Sequence, residues 1–231
     1  MSDQLPTQER LEELVRGLSV ERLQPYKLPR DARPDEGEYD WLLRYIWNIK
    51  LCESLYPGLQ NLEVALRNTI HNTLSEAYET RFWFLKEGLL KVGEREQINR
   101  VERLIPPGKR KISGKYIAEL GFGFWISLFH KRYHDSLVPK IMKTAFPRKA
   151  HPLKRSLVVG ELDAIRKLRN RVFHHEPIWN NPRLAVLHNQ ILQYIAWLNY
   201  ELFIVTRGVD GFEAIHQSGT APYKEIIAEI G

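Results

Sequence analysis

Apolar residues recur along the chain at spacings of three and four, the period of helices that bury one face. Over residues 7–17, Leu11, Leu14, Val15 and Leu18 fall on one side and predict a short amphipathic helix. Pro25, Pro29 and Pro34, with Asp-Glu-Gly-Glu at 35–38, predict a loop that packs through Leu23, Tyr26 and Leu28. Residues 1–36 thus read as a helix and arm lying on a body formed by 37–231. From about Tyr39 to Leu55, Leu42, Leu43, Ile46, Ile49 and Leu55 with Trp41, Tyr45 and Trp47 predict a strongly apolar helix that Pro57-Gly58 interrupts or kinks. A second helix carries Leu59, Leu62, Leu66, Ile70 and Leu74 inside, with Glu63 and Arg67 as an i,i+4 pair.

Further helices are predicted over 94–104, from Ser113 as a cap through Phe129, and over 134–145 with Phe146-Pro147 as the stop. The next runs from about Leu157 to the pair His174-His175, since Pro177 disfavours helical geometry at Glu176. A long helix over Asn181–Thr206, ended by Arg207-Gly208, and a short peripheral one over Ala221–Ile230 complete the chain. No strand series, solenoid repeat or low-complexity tract is visible. The reading is all-α: long antiparallel helices around one core, a bundle elaborated with additional helices.

Chemistry concentrates at the end of the helix that begins near Leu157. Arg169, Asn170, Arg171, His174, His175 and Glu176 fall within eight residues, followed by Pro177-Ile178-Trp179. At 100° per residue, Asn170 and His174 lie about 40° apart and share a face, whereas Arg169 lies about 140° from His174. One chain therefore converges arginine and imidazole poorly, and a second copy brought up by two-fold symmetry resolves the geometry. Histidine titrates near neutrality and moves protons. Arginine keeps its charge, and its planar fork matches phosphate oxygens. His175 competes with His174 for the proton-transfer role, because a tight last turn swaps which ring points outward. Glu176 restrains an imidazolium, caps a neighbour or faces solvent.

Arg169-Asn170, three intervening residues and His174 resemble the Arg-polar-x-x-x-His motif of HEPN ribonucleases. The wider run Leu168 to Trp179 is similar to the Abi-like (abortive infection) branch, which shows an Arg-Asn pair, a His-His pair and often Glu-Pro-Ile plus an aromatic residue. Trp47-Asn48, the segment Asn61-Leu-Glu-Val-Ala-Leu-Arg-Asn68 and the run Leu120-Gly-Phe-Gly-Phe-Trp125 extend the likeness. The resemblance implies a HEPN-like helical bundle and metal-independent RNA cleavage to 2′,3′-cyclic phosphates. It implies Arg169 and His174 as catalytic residues with Asn170 as their polar neighbour, and two protomers facing their motif helices across a shared cleft. A role in phage defence or as a toxin, with RNA as substrate and an antitoxin or regulatory protein as a further partner, is likewise implied by the resemblance. Glu63 and Arg67 read either as a plain polar helix face or as groups that orient the active face from behind.

Charge fits a polyanionic partner such as RNA and fits ordinary solubility equally. Residues 1–40 hold ten acids against six bases, a net of −4, so the remainder carries +10 of a chain whose total is +6. Lys109, Arg110 and Lys111, at Pro-Gly punctuation, read as a phosphate-binding loop or a solvated turn, and Arg171 is a further candidate contact. The single Cys52 excludes an internal disulfide and a cysteine-based zinc site, and no apolar leader or membrane-length run is present, so a cytoplasmic protein without cofactor is expected. His130 and His134 have metal-ligand spacing on a helix but no evident third ligand. Two other functions fit the same residues: a catalytically silent HEPN module binding RNA, a nucleotide or a protein, and a metal-dependent hydrolase, for which an acidic cluster is missing.

Overall fold

In a computed structural model, which describes residues 8–29, 35–106, 111–149 and 153–228, the fold is all-α, with no strand among the described residues. Its helices are α1 (Gln8–Leu18), α2 (Val20–Leu23), α3 (Glu38–Ala77), α4 (Val92–Leu104), α5 (Ser113–Glu119), α6 (Phe122–Ser127), α7 (Val138–Thr144), α8 (Arg155–Phe173), α9 (Leu184–Leu198), α10 (Tyr200–Gly208), α11 (Phe212–Ser218) and α12 (Lys224–Ala228).

The longest element corrects the expected interruption at Pro57. α3 is a single helix of 40 residues with Pro57 inside it. Proline removes one backbone bond and costs about 3 kcal/mol in a helix interior. Against this, Leu51, Leu55, Leu59, Leu62, Leu66, Ile70 and Leu74 continue one stripe through the proline, each at most 2% exposed. Burying each contributes about 1.5–3 kcal/mol, so the stripe outweighs the break. Gly58 has a packing role, since a Cβ there would meet Cγ2 of Ile191 in α9 at 3.1 Å.

Two other expected helices are broken by capping. Between α5 and α6, Leu120 turns extended and its carbonyl is taken by the indole of Trp125 at 3.0 Å. Ser113 is the first residue of α5 and not its cap, which is Ile112. In this stretch a Cβ on Gly121 would meet open space, and one on Gly123 would stand 3.5 Å from Cδ of Arg166. Asn199 divides the predicted 181–206 helix into α9 and α10: its backbone is extended and its Oδ1 accepts from Leu202 N at 2.8 Å. An amide side chain within an apolar run here is an N-cap and not a helix-interior residue.

α7 starts later than expected because the preceding segment serves a buried carboxylate. The Tyr133 hydroxyl donates to Glu94 at 2.6 Å and accepts from Lys91 N at 2.8 Å, while Arg132 forms an ion pair with the same glutamate. Burial would raise the Glu94 carboxyl, but hydrogen bonds from Tyr133 and Ser127 and the Arg132 charge hold it below its ordinary value. The resulting 3-10 turn at Lys131–Tyr133 separates His130 from His134, so the two do not share a helix face.

The chain divides into two compact units, one comprising Met1–Pro57, Asn170–His188 and Asp210–Gly231, the other Gly58–Arg169 and Asn189–Val209. In the first, Leu11 and Val15 of α1, Leu23, Tyr26, Leu42 and Leu43 share a core with Tyr223 and Ile227. The packing expected of Leu23 and Tyr26 is present, Leu28 is half-buried, and the C-terminal segment expected to be peripheral contributes two core residues. In the second, Trp83 meets Trp125 at 6.5 Å and Phe84 meets Tyr116 at 5.0 Å, and Trp83 Nε1 donates to Nδ1 of the buried His71 at 3.1 Å.

Candidate functional site

The site is shaped first by how α8 ends. His174 N bonds Asn170 O at 2.9 Å and so keeps helical register, placing His174 one turn beyond Asn170 as the spacing predicts. His175 then turns left-handed, with φ 58°. Its N–H bonds Val172 O at 3.2 Å, and Glu176 N bonds Arg171 O at 2.8 Å. These two bonds satisfy carbonyls that a helix end would leave without partners. α8 thus stops at Phe173, and the histidines form the turn that closes it instead of the last helical turn.

Left-handed backbone favours glycine, because a Cβ there crowds the following carbonyl. His175→Gly is therefore expected to stabilise the fold by about 0.5–1 kcal/mol, the relief of strain exceeding the added freedom of the unfolded chain. Urea denaturation would read this, with His175→Val expected to destabilise; a His175→Gly protein less stable than wild type would mean that the imidazole itself holds the turn.

Three further groups fix the turn. Arg22 Nη2 donates to the His175 carbonyl. Arg171 reaches across the turn to Glu176, with Nε 3.5 Å from Oε2, and donates through Nη2 to the Pro177 carbonyl. Both members of that ion pair are about half exposed, so its charge attraction is worth at most about 1 kcal/mol. The remaining group is Asn48, 3% exposed within α3, whose Oδ1 accepts from Ile178 N at 2.6 Å and Trp179 N at 3.1 Å. Beyond it, the Trp179 ring stacks on Tyr26 at 6.4 Å and 21°, lies 5.3 Å from the Arg44 guanidinium, and donates through Nε1 to Pro25 O at 3.3 Å. Arg44 is itself buried, donating to Tyr26 O at 2.6 Å and paired with Glu36. Burial would raise the Glu36 carboxyl, but the Leu28 N–H and Arg44 hold it low; burial pushes the Tyr26 hydroxyl up to about 12.

The candidate residues fare differently. His174, His175, Arg171 and Glu176 are exposed, and Asn170 is half-buried. Arg169 is paired with Glu63, Nε to Oε2 at 3.4 Å, with 31% and 19% of their side chains exposed. This corrects the expected Glu63–Arg67 pair: the carboxylate is engaged from α8 instead of from its own helix, and Nε of the half-buried Arg67 has no hydrogen-bond partner. Lys111 is engaged by Glu102 at 2.7 Å, while Lys109 and Arg110 lie outside the described residues. His188 is buried, with Nε2 3.0 Å from Asp210 Oδ1 and its ring stacked 4.2 Å from Phe212. Among the described residues no three His, Cys, Asp or Glu side chains gather as metal ligands, and no helix is long and apolar enough to cross a membrane.

Arg22 and Asn48 were missed as parts of this arrangement. Asn48 carried a signal: it stands one turn from Arg44 and three residues from Leu51 on a buried stripe, and a buried amide demands partners. Arg22 carried none, since its acceptor lies 153 residues away. Comparison of the chain with models of protein families, with curated proteins and with solved structures finds no match in any of the three.

Proposed function

We propose that the chain is a metal-independent endoribonuclease of the HEPN type, working as a homodimer. The observation that supports it most is the presentation of His174: the imidazole is exposed on a helix end whose following backbone is held by Arg22, Arg171 and Asn48. A side chain held out by a rigid turn suits proton transfer better than packing. In the reaction the 2′-oxygen of one nucleotide bonds to the adjacent phosphorus and the bond from phosphorus to the 5′-oxygen breaks, leaving a 2′,3′-cyclic phosphate and a 5′-hydroxyl. His174 of one protomer takes the 2′-hydroxyl proton, and the same residue of the second supplies a proton to the leaving oxygen. Arg169, kept in place by Glu63, stabilises the charge that develops on the phosphoryl oxygens, and Asn170 orients substrate or imidazole. The HEPN and Abi-like resemblance supports a cytoplasmic role in phage defence by RNA damage, or as a toxin held by an antitoxin.

One observation favours a second reading, a catalytically silent HEPN module that binds RNA, a nucleotide or a protein: the Glu63 carboxylate already engages Arg169, which leaves its fork less available to phosphate. Incubating the purified chain with total RNA, with and without a chelator, and mapping product ends separates the two. Cleavage that persists in chelator and leaves 2′,3′-cyclic phosphates is expected. Binding without cleavage selects the silent module, and cleavage abolished by chelator selects a metal-dependent hydrolase.

A further inference from the structure

Beside the histidine turn, within the same compact unit, two large aromatic side chains stand open to solvent: Tyr56 is 49% and Phe173 40% exposed, with ring centroids 5.8 Å apart and planes at 38°. Tyr56 comes from α3 and Phe173 is the last residue of α8, adjacent in sequence to His174. Ile49, 46% exposed and seven residues before Tyr56 on α3, extends the same apolar strip. The charge beside the strip is not fully neutralised. Lys50 is paired with Glu53, and Arg171 with Glu176, whereas Arg22 is held by the His175 carbonyl and pairs with no carboxylate among the described residues. The Arg22 guanidinium sits at the His175 carbonyl, two residues beyond Phe173 in the chain.

The geometry points to a stacking platform for an unpaired base: Tyr56 and Phe173 receive a nucleobase of single-stranded RNA, with Arg22 as the adjoining phosphate contact. The assignment rests on the ribonuclease reading for its ligand and adds how that ligand is chosen. Ring surface accepts any base face, and only a strand whose bases are free of a duplex can offer one. Tyr56 and Phe173 stand on two helices with their ring centroids already 5.8 Å apart, so the platform is formed before RNA arrives and costs little ordering. Three side chains fall well short of the roughly 800 Å² per partner that a specific protein interface buries, so the strip alone does not make a contact between copies.

The test uses the full chain carrying His174→Ala, so that probes survive, with a short labelled single-stranded RNA and the same sequence annealed as a duplex. Anisotropy is expected to show tighter binding of the single strand. Tyr56→Ala and Phe173→Ala should each weaken that binding about 10- to 100-fold while leaving duplex affinity unchanged. Tyr56→Phe and Phe173→Tyr should retain it, which separates loss of stacking from loss of fold. Wild-type cleavage of the same single strand is followed in parallel. If wild type cleaves and the alanine variants bind as tightly as their parent, the platform is wrong and the nuclease stands. Binding that depends on the aromatic pair in a wild type that never cleaves keeps the platform and removes the nuclease. Loss of binding that tracks a dimer-to-monomer change in sedimentation assigns the strip to a second copy and overturns the proposal, as does failure to bind either probe.

Discussion

His174→Ala is expected to lower RNA cleavage by about 10²–10⁴-fold while leaving the melting temperature close to that of wild type. The stability half of this expectation rests on geometry: His174 is exposed, and its part in closing α8 is played by its backbone N–H, which alanine retains. Arg169→Lys carries the argument to the second group. A lysine preserves a positive charge opposite Glu63 and so spares the scaffold, yet it lacks the planar fork that holds two phosphate oxygens at once, so activity should fall steeply. His175→Ala should be the milder change. A His174→Ala protein with undiminished cleavage, beside an inactive His175→Ala protein, would transfer the proton-moving role to the left-handed residue.

The largest structural effect is expected at Asn48. Asn48→Ala removes the common acceptor of Ile178 N and Trp179 N, Ile178 being fully buried and Trp179 half-buried. Each orphaned buried group costs about 1–3 kcal/mol, so the variant should lose about 2–5 kcal/mol in urea denaturation. Cleavage should fall as well, although position 48 touches no reacting atom in the proposed chemistry, because the segment following the histidines loses its anchor. Asn48→Asp, which keeps an oxygen acceptor, should recover part of the loss. An alanine variant within about 0.5 kcal/mol of wild type would mean that these hydrogen bonds contribute nothing net.

What could be read from the chain alone followed from how local its causes are. α1 and α4 lie within two residues of their predicted bounds, because a strict three-to-four pattern sets each and polar or proline-containing sequence bounds it. Hydrophobic periodicity is blind to a break inside a continuous apolar run, so Leu120-Gly121 and Asn199 passed as helix interior until their capping partners, Trp125 and Leu202, were seen. Pro57 shows the opposite failure: a local breaker was given too much weight against a stripe that continues on both sides. At the site, the spacing of Asn170 and His174 was legible because it lies within one turn of one helix. The left-handed His175 was not, since no glycine marks that position, and neither were the Arg22 anchor and the exchange of Glu63 from Arg67 to Arg169, which depend on segments far apart in sequence.

The backbone after α8 has a consequence for hydrogen exchange. His174, His175 and Glu176 donate to carbonyls of the helix they end, Pro177 has no N–H, and Ile178 and Trp179 donate to one side-chain oxygen. Every amide from His174 through Trp179 is therefore engaged, although the segment has no regular secondary structure. In deuterated solvent it should exchange with the slow protons of α8 and not with those of an ordinary surface loop, opening together with the helix as one cooperative unit.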